Sequence, residues 1–204
     1  WEKQNAALLH LQSYVTSFPS FVSTNVRILS FEIVPLCSSI RSALSKTALE
    51  CLTSIASSFG TEMTPFFESI VNDLLTILLS SRGFITRLAS SCISTILHNV
   101  SRKRAIEYLT GDHKKRPGSC KATLAMCLEE LLSELDDDEA DSFSSVEVIK
   151  SIGSFITDAN PEARKFARNA LKKLAAKNKN LAYNVSNMKI DESLKKVIID
   201  AIQK

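Results

Sequence analysis

The sequence predicts an all-α fold, an α-solenoid of about five to six HEAT-like helical hairpins. Three observations predict it. Apolar residues recur at three- and four-residue spacing through most of the 204 residues, and no segment alternates with period two for long enough to be a strand. Only five Gly and five Pro occur, too few for a turn-dense β-sandwich. One helical pattern returns at a spacing near 40 residues, the mark of stacked helix pairs. The composition, 45% hydrophobic and 23% charged, is that of a globular chain and excludes disorder.

Taken in order, the periodicity predicts helices over 2–17, 24–39, 43–59, 63–80, 84–99, 118–135, 143–157, 161–177 and 191–203. Punctuation separates them: Ser17-Phe18-Pro19, Gly60-Thr61, Arg82-Gly83, Gly111-Asp112, Pro117-Gly118 and Asn160-Pro161. Asn160 followed by Pro161 reads as a cap and a first helical position. The uncharged run from Gln4 to Val26 is long enough to span a bilayer. It carries His10, Gln12, Ser13, Ser17, Pro19 and Asn25, which hydrocarbon would not accept, so it reads as core helix. The acidic stretch centred on Asp136-Asp137-Asp138-Glu139 reads as a solvated loop between two helices.

Three helices share a base, an Ala two residues on, then a small residue and an apolar pair. They are Lys46-x-Ala48-x-x-Cys51-Leu52-x-x-Ile55, Arg87-x-Ala89-x-x-Cys92-Ile93-x-x-Ile96 and Lys165-x-Ala167-x-x-Ala170-Leu171-x-x-Leu174. Weaker copies read Ala7-x-x-His10-Leu11-x-x-Tyr14 and Leu124-x-x-Cys127-Leu128-x-x-Leu131. The anchors 7, 48, 89, 124 and 167 are 41, 41, 35 and 43 residues apart. A small anchor lets the paired helix approach closely, and the apolar face beyond it packs on the next repeat. Ala48, Ala89 and Ala167 should therefore be buried at equivalent places.

Six residues before the anchors stand Trp1, Ser42, Gly83, Gly118 and Pro161, which mark the turns entering the second helix of each repeat. In a stacked array such turns line one edge. That edge would carry Trp1, Glu2, Arg41, Ser42, Lys46, Arg82, Phe84, Lys115, Arg116, Lys121, Asn160, Arg164, Lys165 and Arg168. The net charge is only +3, but the charges are blocked. Seven bases stand against two acids over 101–121, Lys114 among them, and eight bases against two acids over 150–179. Between them, 129–147 holds nine acids and no base. A basic ridge calls for an anionic partner, either an acidic protein surface or nucleic acid. The low overall charge and the lack of interleaved stacking aromatics count against nucleic acid.

Catalytic chemistry is not indicated. The histidines His10, His98 and His113 have no zinc-binding spacing, no HExxH, GxSxG, P-loop or GxGxxG occurs, and the acidic stretch lacks the Gly and terminal Glu of an EF-hand. No metal or cofactor is expected. His10 reads as a satisfied core residue on the packing face. Cys37, Cys51, Cys92, Cys120 and Cys127 are odd in number, without CxxC, and read as small hydrophobes in a reducing compartment. The chain opens on Trp1 rather than Met, so residues 1–204 are expected to be a single array cut from a larger protein.

The turns resemble those of TOG domains, HEAT-repeat paddles of microtubule regulators. Trp1-Glu2-Lys3-x-x-Ala6-Ala7-Leu8 is similar to the first-turn motif. Asp158-Ala159-Asn160-Pro161-Glu162-Ala163-Arg164-Lys165-Phe166-Ala167-Arg168 is similar to the fifth. Ile40-Arg41-Ser42-Ala43-Leu44-Ser45-Lys46 resembles the second turn of the CLASP and crescerin group, although Ser39-Ile40 stands where Asp-Leu usually precedes the Arg-Ser. Ser81-Arg82-Gly83-Phe84-Ile85 is similar to the third, and Lys114-Lys115-Arg116-Pro117-Gly118 is more basic than the usual fourth.

The resemblance implies binding of αβ-tubulin or microtubules through the turns, and no enzyme activity. It implies neither nucleic acid nor membrane as partner, other domains in the parent chain, and a cytoplasmic, cytoskeletal setting that extends to the cilium. On this reading Arg164 and Arg168 serve the partner, since bases near a helix start gain nothing from the macrodipole. The alternative is a HEAT scaffold that does not bind tubulin.

Overall fold

A computed structural model describes residues 1–113 and 115–203. Among the described residues there are twelve helices and no strand. They are α1 (Glu2–Ser17), α2 (Pro19–Cys37), α3 (Ser42–Met63), α4 (Phe67–Ile77), α5 (Gly83–Asn99), α6 (Arg102–Leu109), α7 (Gly118–Ser133), α8 (Asp137–Ser142), α9 (Val146–Ile156), α10 (Pro161–Lys177), α11 (Leu181–Asn187) and α12 (Glu192–Gln203). The all-α solenoid architecture is as the sequence predicts. The chain divides into two compact units, Trp1–Ala105 and Ile106–Lys204, with the division falling inside α6.

In the first unit α3 is the centre, packed against α1, α2 and α5, while α4 packs on α5 and α2. Its buried positions Leu44, Ala48, Leu52, Ile55, Ala56 and Phe59 recur at helical spacing and make one apolar stripe. The helix kinks at Phe59, and Gly60 then passes directly against α5. A Cβ on Gly60 would lie 2.3 Å from the Cβ of Asn99 and 2.4 Å from its carbonyl oxygen. Only glycine allows that approach. In the second unit α10 packs on α7, α9 and α12, and α11 packs on α12.

The anchors Ala48, Ala89, Leu124 and Ala167 are fully buried, as the repeat register requires. In each of these helices the first residue (Ser42, Gly83, Gly118 or Pro161) stands six positions before the anchor. The first copy is different. Ala7 and His10 are exposed, and the buried residues of α1 are Leu8 and Val15. The true stripe is Leu8, Leu11 and Val15, so His10 is not a core residue. Moving the anchor from Ala7 to Leu8 puts Glu2, the first residue of α1, six positions before it, in line with the other four. The error arose because Ala6-Ala7-Leu8-Leu9 offers several apolar candidates and α1 carries only two fully buried residues to choose between them.

Three short helices escaped the periodicity, and α2 starts five residues earlier than expected. α6 and α11 each span about two turns, too short to show a period. α8 occupies the acidic stretch that reads as a loop. Asp136 accepts the Glu139 N–H at 2.7 Å, and the Glu139 carboxylate accepts the Asp136 N–H at 3.2 Å, a reciprocal cap. Asp137, Asp138 and Glu139 fill the first turn, where the helix dipole favours acids.

All five cysteines are buried thiols, none of them in a disulfide. Burial pushes the thiols of Cys51 and Cys92 up to about 12 and that of Cys37 higher still, so they act as protonated apolar fillers. Among the described residues no helix is long and apolar enough to cross a membrane.

Candidate functional site

The turns entering the anchor helices are built on a recurring device. At the second turn the Ser39 hydroxyl accepts the Arg41 N–H at 3.2 Å, and at the third the Ser80 hydroxyl accepts the Arg82 N–H at 3.2 Å. At the fifth the Asp158 carboxylate accepts the Asn160 N–H at 2.8 Å. In each case a short polar side chain bonds the backbone two residues on, and that residue is the N-cap of the next helix. The second, third and fifth turns are thus each closed by a local side-chain bond.

In the first unit Trp1 caps α1 and is 51% exposed despite its size, with Glu2 exposed beside it. At the second turn Arg41 and Ser42 are exposed, and Lys46 makes a 3.7 Å ion pair with Glu50 along the surface of α3. The sequence reading passed over Ile40, which is 89% exposed, and Leu79, 57% exposed at the third turn. Both are large apolar residues left in water, and Ile40 directly precedes Arg41. The detectable signal was an isoleucine inside a turn, where no periodic stripe could claim it. Phe84, the second position of α5, is 50% exposed. Arg82 behaves differently, because its guanidinium donates to the Ser39 carbonyl at 2.7 Å and to the Ser80 hydroxyl at 3.3 Å. It ties the third turn to the second.

In the second unit most of the expected contact residues hold the turns together. His113 is buried at the fourth turn, with Nε2 2.7 Å from the Tyr108 carbonyl and Nδ1 accepting the Arg116 Nε–H at 3.0 Å. A carbonyl on one side and a donor on the other require the neutral imidazole protonated at Nε2. Burial first, then the charge of Arg116, lowers the His113 pKa, against the opposing pull of the Tyr108 carbonyl and Asp112. Lys121 is mostly buried and pairs with Asp158 at 2.7 Å, joining the start of α7 to the fifth turn.

Asn160 caps α10, its side-chain oxygen accepting the Glu162 and Ala163 N–H groups at 2.9 and 3.1 Å. Arg164 donates to the Asp158 and Ala159 carbonyls at 2.9 and 2.7 Å. The expectation that structure gives little reason for Arg164 is corrected: it closes the turn that precedes its own helix. Burial would raise the Asp158 pKa, but the Lys121 ammonium, the Asn160 N–H and Arg164 outweigh it and hold the carboxyl below the usual range. Lys115, Lys165 and Arg168 are exposed, and Lys114 lies outside the described residues.

Residues 1–199 match the family described as CLASP N terminal. No curated protein sequence matches the chain. Among solved structures it is similar to a TOG domain of Zyg9 from C. elegans, with TM-score 0.72 and 15% identity over 97% of this chain and 74% of that one. It is also similar to a TOG domain of crescerin, a protein that uses a TOG domain array to regulate microtubules in the primary cilium. That match has TM-score 0.70 and 13% identity over 98% of this chain and 84% of that one. A third similar structure, from work on microtubule plus-end tracking by XMAP215, has TM-score 0.62 and 16% identity over 86% and 73% of the two chains. A family match over nearly the whole length and a shared fold at this level agree with the resemblance read from the turns, and the chain belongs to the CLASP N-terminal family, with the fold of a TOG domain.

Proposed function

We propose that residues 1–204 act as one module that binds αβ-tubulin through the turns entering α1, α3, α5, α7 and α10. The observation that carries this is the set of exposed apolar side chains at the starts of the anchor helices, Trp1, Ile40 and Phe84, with the bases Arg41, Lys46 and Arg82 at the second and third turns. Apolar anchors flanked by charge are what interface hot spots require, and structure has no use for them in water. Glu2, Ser42, Lys115 and Lys165 complete the contact set. Arg82, Arg116, Lys121, Asn160 and Arg164 shape the turns and lend the partner only the donors they have left. Tubulin is acidic, and the neighbours in fold belong to microtubule regulators, which supports the partner chosen. The domain is a binding module and not an enzyme, works at the cytoplasmic cytoskeleton, the cilium included, alongside other domains of its parent chain, and contacts neither nucleic acid nor membrane.

The test is gel filtration with purified αβ-tubulin at micromolar protein and low salt. A complex is expected, and Trp1→Ala or Ile40→Asp should weaken it at least ~30-fold, about 2 kcal/mol, with little change in melting temperature. Absence of any complex would support a HEAT scaffold without tubulin binding.

A further inference from the structure

A second surface lies away from the turns. Between α10 and α12, within the second unit, runs a groove of about 450 Å³ lined by Arg168, Lys172, Val197, Asp200 and Ala201. Its volume falls in the range of ligand clefts, roughly 300–1,000 Å³. Lys165, Arg168 and Lys172 are exposed at three- and four-residue spacing, so they form one stripe down α10. Among the described residues none of the three has an ion-pair or hydrogen-bond partner from its side chain. By contrast Lys173, the next residue, is paired with Glu129 at 2.9 Å. Lys172 sits about 16 Å along the helix from Pro161, too far down to belong to the turn. A line of unpaired bases along one face adds nothing to packing and gives this face of α10 a local positive potential that favours an anionic occupant.

We propose that this groove binds an acidic, partly apolar peptide segment of a partner protein. Arg168 and Lys172 attract the carboxylates, and the half-buried Val197, with the buried Ala201 one turn on beneath the floor of the groove, meets the apolar side chain. Asp200 on the opposite wall is a ready acceptor for the N–H groups of a peptide backbone, which a nucleic-acid backbone lacks. The five lining residues include no aromatic on which a base would stack. Arg168 thus belongs to this groove more than to the tubulin-contacting turns. The proposal does not depend on the tubulin reading.

The experiment is fluorescence anisotropy with a labelled peptide of four Glu-Glu-Leu repeats, run beside the same peptide with Ser for Leu and a twelve-nucleotide oligothymidine. Binding of the Leu peptide is expected, weakening as salt rises from 50 to 300 mM. Lys172→Glu should weaken it at least tenfold and Lys172→Arg should restore it, with unchanged circular dichroism in both. Tubulin association should be untouched by Lys172→Glu, because Lys172 lies outside the turns, so the two readings fail separately. Equal binding of the Ser peptide or of oligothymidine would overturn the proposal, leaving a non-specific anion surface. Full binding by Lys172→Glu would overturn it too. So would a concentration-dependent dimer of the protein that the same substitution abolishes, since a second copy would then be the occupant.

Discussion

Replacing Lys121 with Met removes the ammonium from the Asp158 carboxylate while keeping most of the side-chain volume. In the native fold the two groups meet at 2.7 Å with side chains 17% and 12% exposed. A fully buried pair that loses one partner costs about 3–5 kcal/mol, and an exposed pair is worth about 1 kcal/mol or less. Asp158 keeps the Asn160 N–H at 2.8 Å and the charge of Arg164, so it is not left bare. The expected loss is therefore about 2 kcal/mol, near the value of one charge-assisted hydrogen bond. For a chain of this size that lowers the melting temperature by roughly 4–8 °C. The pH dependence identifies the cause. The Asp158 pKa is depressed in the fold, so its contribution is complete above the unfolded carboxyl value of about 3.9 and is lost as pH falls through the lower folded value. Melting curves of the two proteins should lie apart from pH 5 to 8 and converge below about pH 4. A gap that stayed constant into acid would refute the ion pair as its origin.

Gly60→Ala should cost about 1–3 kcal/mol or more, read from urea midpoints, because its methyl meets the Asn99 backbone rather than a movable side chain. Ala89→Leu should cost about 1–3 kcal/mol by overpacking a fully buried anchor, and an unchanged midpoint would break the repeat register. His113 has a lowered pKa, so the unfolded chain takes up a proton first. Stability should be flat above pH 7 and fall as pH drops from about 6.5 toward the lower folded value. Denaturation at pH 7.5 and 5.5 checks this, and His113→Gln should flatten the difference.

The fold was legible because its signal is repeated. Ala48, Ala89 and Ala167 each sit on a long helix with a full apolar stripe, so three copies confirm one register. The same logic explains what was missed. α8 has only six residues and one buried side chain, Ala140, and its signal was the Asp-x-x-Glu cap rather than a period. Ile40 shows the opposite case, a residue whose signal is its absence from any stripe. It is an apolar residue that no stripe uses, and its position at a turn becomes meaningful only once exposure is known.

The basic residues show where sequence patterning stops being informative. Charge and register place Arg82, Arg116, Lys121 and Arg164 at the turns or within the first turn of the helix that follows, but do not tell whether a guanidinium or ammonium faces solvent or its own backbone. In a turn entering a helix the carbonyls just before the cap have no helical partner, and a base one turn into that helix can reach back to them. Arg164 does this with the carbonyls of Asp158 and Ala159, while Arg82, itself the cap of α5, reaches across to the Ser39 carbonyl of the neighbouring turn. Such bases are needed whether or not a partner binds, because an unpaired carbonyl in a half-buried turn costs free energy on its own. A charge-reversal at Arg164 therefore confounds fold with binding. Trp1, Ile40 and Phe84 carry no such double duty. Their exposure has no structural return, and they are the positions at which loss of tubulin binding without loss of stability distinguishes a binding domain from a scaffold.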